Sequence, residues 1–208
     1  MVATRYYYKD TISDFIAKDD MEIVGKLTIA YVHDINEETK KSWVSEIDTM
    51  KTILRPYAER GSVYFEYNIP RIGRRADVIV LIDGIVFVLE FKTANQEFSR
   101  EAMVQVWDYA LDLKNFQEGS LDRVLLPIQV VPNEKDRNCT IESKHFEDNV
   151  YEPIQVNTQK LGEAIKHFLA NVTHVPCSRE DDDLWAKSGY EPTPTIIAVS
   201  YTHLTLPT

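Results

Sequence analysis

The 208-residue chain reads as an α/β domain whose core runs helix, three strands, helix, strand. Three observations predict this. Residues 75–92, RADVIVLIDGIVFVLEFK, are two apolar runs joined by Asp83-Gly84, a dipeptide that accepts positive φ at both central positions of a tight hairpin. A long stretch on each side of that hairpin carries apolar residues at helical spacing. The β-rich run RVLLPIQVV, residues 123–131, follows the second of them.

Residues 1–34 are expected to form a helical N-terminal extension. Thr11, with Asp14 three positions later, caps a short helix, and 21–32 forms another with Ile23, Leu27 and Ala30 on one side. Tyr6, Tyr7 and Tyr8 read either as a base-stacking surface or as a packed strand or turn cluster. Asn36 caps a long helix to about residue 60, in which Trp43, Ile47, Met50, Leu54 and Tyr57 make one apolar stripe. Gly61 ends it, and 63–69 alternates as a strand.

The turn PRIGRR, residues 70–75, leads into the hairpin. After the hairpin Ser99 caps a helix to about residue 116, with Met103, Val106, Ala110 and Leu113 as its buried stripe. The strand at 123–131 follows, and Pro127 suggests that it is an edge or bulged strand. Residues 133–150 are a polar loop, 154–156 a short strand, and Thr158 caps a helix to about residue 172. The core domain is therefore drawn at 35–175.

Beyond Pro176 the composition changes. The charge run REDDD at 179–183 and the prolines at 192 and 194 mark 176–199 as a solvated linker. The last nine residues, SYTHLTLPT at 200–208, resemble translated adapter read-through, so they are expected to be non-native and the natural chain to continue.

Composition narrows the function classes. The net charge of -10 disfavours a protein that coats nucleic acid through a broad basic surface, but leaves room for a local basic path beside acidic metal ligands. No apolar run approaches the ~18 residues of a membrane span. The N-terminus has no secretory pattern, and Cys139 and Cys177 form no CxxC, so a cytoplasmic location is expected. The five histidines show no metal-ligand spacing.

The hairpin carries the chemistry. With Asp83 and Gly84 as its loop, Ile82 faces Ile85 and Asp77 falls opposite Glu90, with Cβ atoms of such a pair roughly 5 Å apart. Lys92 shares the face of Glu90. Two carboxylates side by side at the end of an apolar sheet repel, and a hard divalent cation, Mg²⁺ or Mn²⁺, is the natural neutraliser. Lys92 is then placed to orient or activate a water for attack on a phosphodiester. Arg71, Arg74 and Arg75 read either as phosphate-binding groups or as a solvated basic turn. Glu46 borders the apolar stripe of its helix, where a solvated glutamate is the plain reading.

Acid, then acid-x-lysine, resembles the PD-(D/E)xK nuclease superfamily: here Asp77, then Glu90-Phe91-Lys92, with Ala76 in place of the usual proline. That resemblance implies a restriction-endonuclease-like α-β-β-β-α-β core, with the Phe91 carbonyl beside Asp77 and Glu90 as a metal ligand and Glu46, on the helix before the sheet, as a third carboxylate facing the metal. Gln105 and Tyr109, one turn apart in the following helix, resemble the extra motif of RecB-type nucleases, which implies that they help place substrate and lysine. The string IPRIGRRADVIVLIDGIVFVLEFK followed by QVWDYALDLKNFQEGS is similar to the N-terminal region of bacterial Schlafen-like DNA/RNA helicases of the P-loop ATPase type, over roughly residues 43–172. In that family an ATPase domain follows. The chain has no G-x-x-x-x-G-K-[ST], so ATP use is expected only of C-terminal sequence beyond this chain.

The expected function is thus Mg²⁺-dependent nuclease action on DNA or RNA. The alternatives are a nuclease-like module that binds nucleic acid without turnover for the attached ATPase, and a plain α/β interaction domain.

Overall fold

The computed structural model describes residues 5–31, 35–93, 96–173 and 179–192. Among these residues six strands form one open sheet in the order β1-β2-β3-β4-β5-β6. They are β1 (Tyr8–Thr11), β2 (Ser62–Ile69), β3 (Arg74–Ile82), β4 (Ile85–Phe91), β5 (Val124–Val130) and β6 (Ile154–Val156). The first four pair antiparallel, whereas β4, β5 and β6 are parallel. The helices are α1 (Ile12–Ala17), α2 (Asp20–Ala30), α3 (Glu37–Leu54), α4 (Arg100–Phe116), α5 (Thr158–Asn171) and α6 (Arg179–Trp185). The core order expected from sequence, helix, three strands, helix, strand, is found in α3-β2-β3-β4-α4-β5.

Helices cover both faces of the sheet. Phe15 of α1, Leu27 of α2, Trp43, Ile47 and Met50 of α3, and Ile165 of α5 pack with Phe65, Val80 and Phe87 on one face. On the other, Val106, Tyr109, Ala110 and Leu113 of α4 pack with Tyr64, Ile79 and Val86. Strands covered on both sides become continuously apolar, which is why β4 is buried at every position. Among the described residues no helix is long and apolar enough to cross a membrane.

The hairpin forms as its turn chemistry predicts. Asp83 has φ 49° and Gly84 φ 87°, and Ile82 pairs with Ile85. Arg60 bonds the Asp83 carboxylate and ties the turn to the end of the preceding segment. Gly61 has φ 91°, and a Cβ there would meet the Leu81 carbonyl oxygen at 1.9 Å, so only glycine fits this crossing.

Several boundaries differ from the sequence reading. The N-terminal segment is not wholly helical, because Tyr8–Thr11 adds edge strand β1 to β2. Thr11 does cap α1, accepting from the Asp14 N–H at 3.1 Å. Helix α3 stops at Leu54 and passes into a 3₁₀ turn at Arg55–Tyr57, since Pro56 has no N–H to continue the ladder. The cap of α5 is Asn157, which accepts from Lys160 N at 2.8 Å, so Thr158 is the first helical residue instead.

Pro127 is neither at an edge nor in a bulge. It pairs in register with Val88 inside the sheet. Its missing N–H falls on the β6 side, between the Leu125–Val150 bridge and the start of β6 pairing at Ile128, where no ladder partner stands.

The largest departure lies after residue 176. Helix α6 docks on the sheet, where a solvated linker was expected. Trp185 is 1% exposed, lies against Tyr64 and Tyr67, and donates Nε1 to Ser120 Oγ at 2.9 Å. Arg123 donates to Asp182 at 3.0 Å, and both side chains are buried. A charge run looks solvated only until a buried arginine is found to need one of its carboxylates. The remainder of that segment from 193, the tail at 200–208, and Cys177 lie outside the described residues.

Candidate functional site

The hairpin register sets Asp77 one step beyond the last β3–β4 pair, Val78 with Leu89, and therefore opposite Glu90. The ladder stops there because Asp77 replaces it. Its Oδ2 accepts the Phe91 N–H at 2.7 Å, so the carboxylate reaches across to β4. The two acids are neighbours, as the register predicts, but Asp77 does not simply stand beside Glu90 on one face.

That geometry follows from a reversal in two adjacent strands. On β2, Val63 and Phe65 face α3, whereas Tyr67 and Ile69 face α4. On β3, Val78 faces α3 and Ala76 faces α4. Residues two apart in a regular strand share a face, so the alternation slips at Glu66 and at Asp77. Glu66 takes φ 53° at this step, and its carboxylate accepts Trp43 Nε1 at 2.9 Å and Arg75 Nε at 2.7 Å.

Glu90 continues the regular alternation of β4 toward α4. Its Oε1 accepts from Lys92 Nζ at 2.8 Å and from Gln105 Nε2 at 2.9 Å, and Gln105 also donates to Tyr109 Oη at 2.6 Å. Its Oε2 is buried with no hydrogen-bond partner. Lys92 thus shares the face of Glu90, and Gln105 with Tyr109 completes the chain of contacts from α4. Phe91 sends its ring into the α3-side core.

Glu46 is not a solvated helix glutamate. It is 5% exposed and accepts from Ser42 Oγ at 2.6 Å. With Ser42, Phe91, Lys92 and Pro132 it lines a cavity of about 250 Å³. Lys92 and Gln105 border a second cavity, of about 340 Å³, at the start of α4.

Burial and mutual repulsion push these acids up. Burial, opposed by the Ser42 hydrogen bond and reinforced by the charges of Glu66 and Glu90, raises Glu46 to about 7. Burial, then the charges of Glu90, Glu46 and Glu66, holds Asp77 well above the usual carboxylate range, although the Phe91 N–H opposes this. Burial also raises Glu90, against the attraction of Lys92. Burial lifts the Tyr109 hydroxyl to about 12, which keeps it protonated at neutral pH.

The three arginines separate. Arg71 bonds Asp112 and lies over the Phe116 ring at 4.5 Å, away from the acids. Arg75 is held by Glu66 and lies over the Tyr7 ring at 4.9 Å. Arg74 is exposed, and its charge favours the ionised forms of Glu90 and Tyr109.

Glu66 and Ser42 are the residues that sequence reasoning missed. Val63, Phe65, Tyr67 and Ile69 alternate without fault, and this regular pattern conceals the reversal at Glu66. Ser42, one turn before Glu46, was the available signal for a bonded glutamate.

Among the described residues, no group of three or more His, Cys, Asp or Glu side chains is arranged to hold a metal ion by itself. A Mg²⁺-type cation needs fewer protein ligands, since it binds through one or two carboxylates and keeps waters or substrate phosphates. The unpartnered, buried Glu90 Oε2, on the residue opposite Asp77, suits such a cation. Searches of protein-family models, curated proteins and solved structures return no match to the chain.

Proposed function

We propose that the chain is a metal-dependent phosphodiester hydrolase acting on DNA or RNA, with a PD-(D/E)xK-type core. The observation that carries this reading is the shared Glu90 oxygen. Lys92 and Gln105 both bond Oε1 while Oε2 is buried and unpartnered, on the residue opposite Asp77, at the carboxyl end of β4. Crevices outside the carboxyl ends of parallel strands are the usual ligand sites of open α/β sheets.

The roles follow from position. A bound Mg²⁺ or Mn²⁺ would neutralise charge on the scissile phosphate and lower the pKa of a coordinated water. Asp77 and Glu90, with the Phe91 carbonyl, would hold that cation. Lys92, anchored by Glu90, presents its ammonium to the attacking water. Gln105 fixes Glu90 and is itself fixed by Tyr109. Glu46 adds an acid on the α3 side, and Arg74 is the arginine free to meet a substrate phosphate. Arg71 and Arg75, the other two candidates for phosphate contact, are bonded by Asp112 and by Glu66.

The similarity to Schlafen-like helicases extends the reading to the whole protein. The described domain would precede a P-loop ATPase in the same chain, and ATP use would belong to that part. A cytoplasmic location belongs to the same reading, in keeping with the free thiol of Cys139.

The test is cleavage of labelled single- and double-stranded DNA and RNA with Mg²⁺ or Mn²⁺. Lys92→Ala and Asp77→Ala should each lower the rate by about a hundredfold or more, with circular dichroism unchanged. Retained binding with no cleavage in the wild type would favour the alternative of a recognition module. Cleavage that survives both substitutions would sink the site.

A further inference from the structure

We infer that Glu66 is a positioning residue that turns Asp77 off the face of Glu90 and onto the Phe91 N–H of β4, a role that rests on reading those two acids as the cation-holding pair. Glu66 lies directly across from Asp77, between the β2–β3 pairs Phe65 with Val78 and Tyr67 with Ala76. These flanking pairs stay in register, so no residue has been inserted and the slip in alternation is a local twist of both strands.

A non-glycine residue at φ 53° inside a strand is disfavoured and persists only where its surroundings hold it. The holding groups are visible. Trp43, from α3, and Arg75, two residues before Asp77, each bond one oxygen of the Glu66 carboxylate. Arg75 is in turn held over the rings of Tyr7 and Tyr31. The brace therefore joins α3 to the start of β3 at the residue pair where the faces exchange.

Without the twist, Asp77 would fall on the α4 face with Ile79 and Leu81. That is the face of Glu90; with the twist, the carboxylate leaves it, turns along the sheet and takes the Phe91 N–H. The geometry makes Glu66 responsible for that choice, although it contacts neither Phe91 nor Lys92 among its hydrogen bonds.

Glu66→Val, Glu66→Gly and Glu66→Gln separate the elements of this role. Valine resists the left-handed region, so β2 should become regular. Glycine accepts the backbone but removes the brace. Glutamine keeps an acceptor for Trp43. Amide hydrogen exchange at Phe91 is the first readout, because that N–H donates to Asp77 in the wild type. Its protection should fall about tenfold or more in Glu66→Val, to the level of an Asp77→Ala control, and stay near wild type in Glu66→Gln.

Mn²⁺ binding to the folded variants, followed by electron paramagnetic resonance, is the second readout and should weaken by a similar factor in Glu66→Val. A merely structural residue would lower stability and leave both readouts of the folded protein unchanged. If Glu66→Val does not fold, Glu66→Gly decides, and unaltered Phe91 protection in it overturns the inference. If the wild type takes up no Mn²⁺, the hydrolase reading fails, while the amide measurement still decides whether Glu66 sets the direction of Asp77.

Discussion

Gln105 on α4 donates to Glu90 on β4 at 2.9 Å, bonding the same carboxylate oxygen that holds Lys92. Helix and strand therefore orient the acid and the lysine through one atom. Lys92 cannot be moved without disturbing Glu90, and Glu90 cannot turn without releasing Gln105.

Gln105→Ala should accordingly lower single-turnover cleavage by about tenfold, the value of one hydrogen bond to a charged group, with little change in melting temperature. Tyr109→Phe removes only the second acceptor of Gln105 and should cost less. Equal, large losses of stability in both variants would show that the pair serves packing instead.

The raised acids make stability fall as pH rises. A carboxyl whose folded-state pKa lies above its unfolded value keeps its proton longer when folded, so folding is favoured at low pH and the advantage is lost as the group ionises. For Glu46 that window runs from its ordinary 4.5 to about 7. In metal-free protein the urea midpoint should drop between pH 5 and pH 8. Glu46→Gln should flatten that drop and gain about 1–3 kcal/mol at pH 8. A wild-type midpoint independent of pH across this range would contradict the buried acid cluster.

The arginines should behave unequally. Arg74→Ala should weaken binding of a labelled oligonucleotide and reduce the salt slope of log K by about 1, the signature of one lost phosphate contact. Arg71→Ala should leave that slope unchanged, because Arg71 is engaged with Asp112 and Phe116. Fluorescence anisotropy across a potassium chloride series measures both.

Helix α6 should prove integral to the domain. Trp185→Ala empties a fully buried site and should destabilise by about 3–5 kcal/mol in urea denaturation. Asp182→Ala strands Arg123 in the interior, with a loss of about the same size. Wild-type stability in both variants would return this segment to the role of a linker.

Much of the site was legible before folding. The Asp-Gly turn sets the hairpin register, and the register alone makes Asp77 a neighbour of Glu90. Helical spacing likewise joins Gln105 to Tyr109, whose hydrogen bond spans one turn of α4. The fate of the arginines was not legible, since Arg71, Arg74 and Arg75 are equivalent in sequence and differ only in the partners that folding brings to them. Trp185 was hidden in the same way: its pocket is built from Tyr64, Tyr67 and Ser120, more than sixty residues earlier in the chain.

What the sequence by itself determined is therefore local: turn type, helix stripes, strand register, and the caps at Thr11, Asn36 and Ser99. Each depends on residues within a few positions of one another, where backbone geometry leaves few choices. The tertiary structure alone decided the twist at Glu66, the sideways reach of Asp77, the burial of Glu46 and the docking of α6. These depend on partners far away in the chain, and the side-chain pattern of β2 is the same whether or not Trp43 and Arg75 are there to hold Glu66 in its turn.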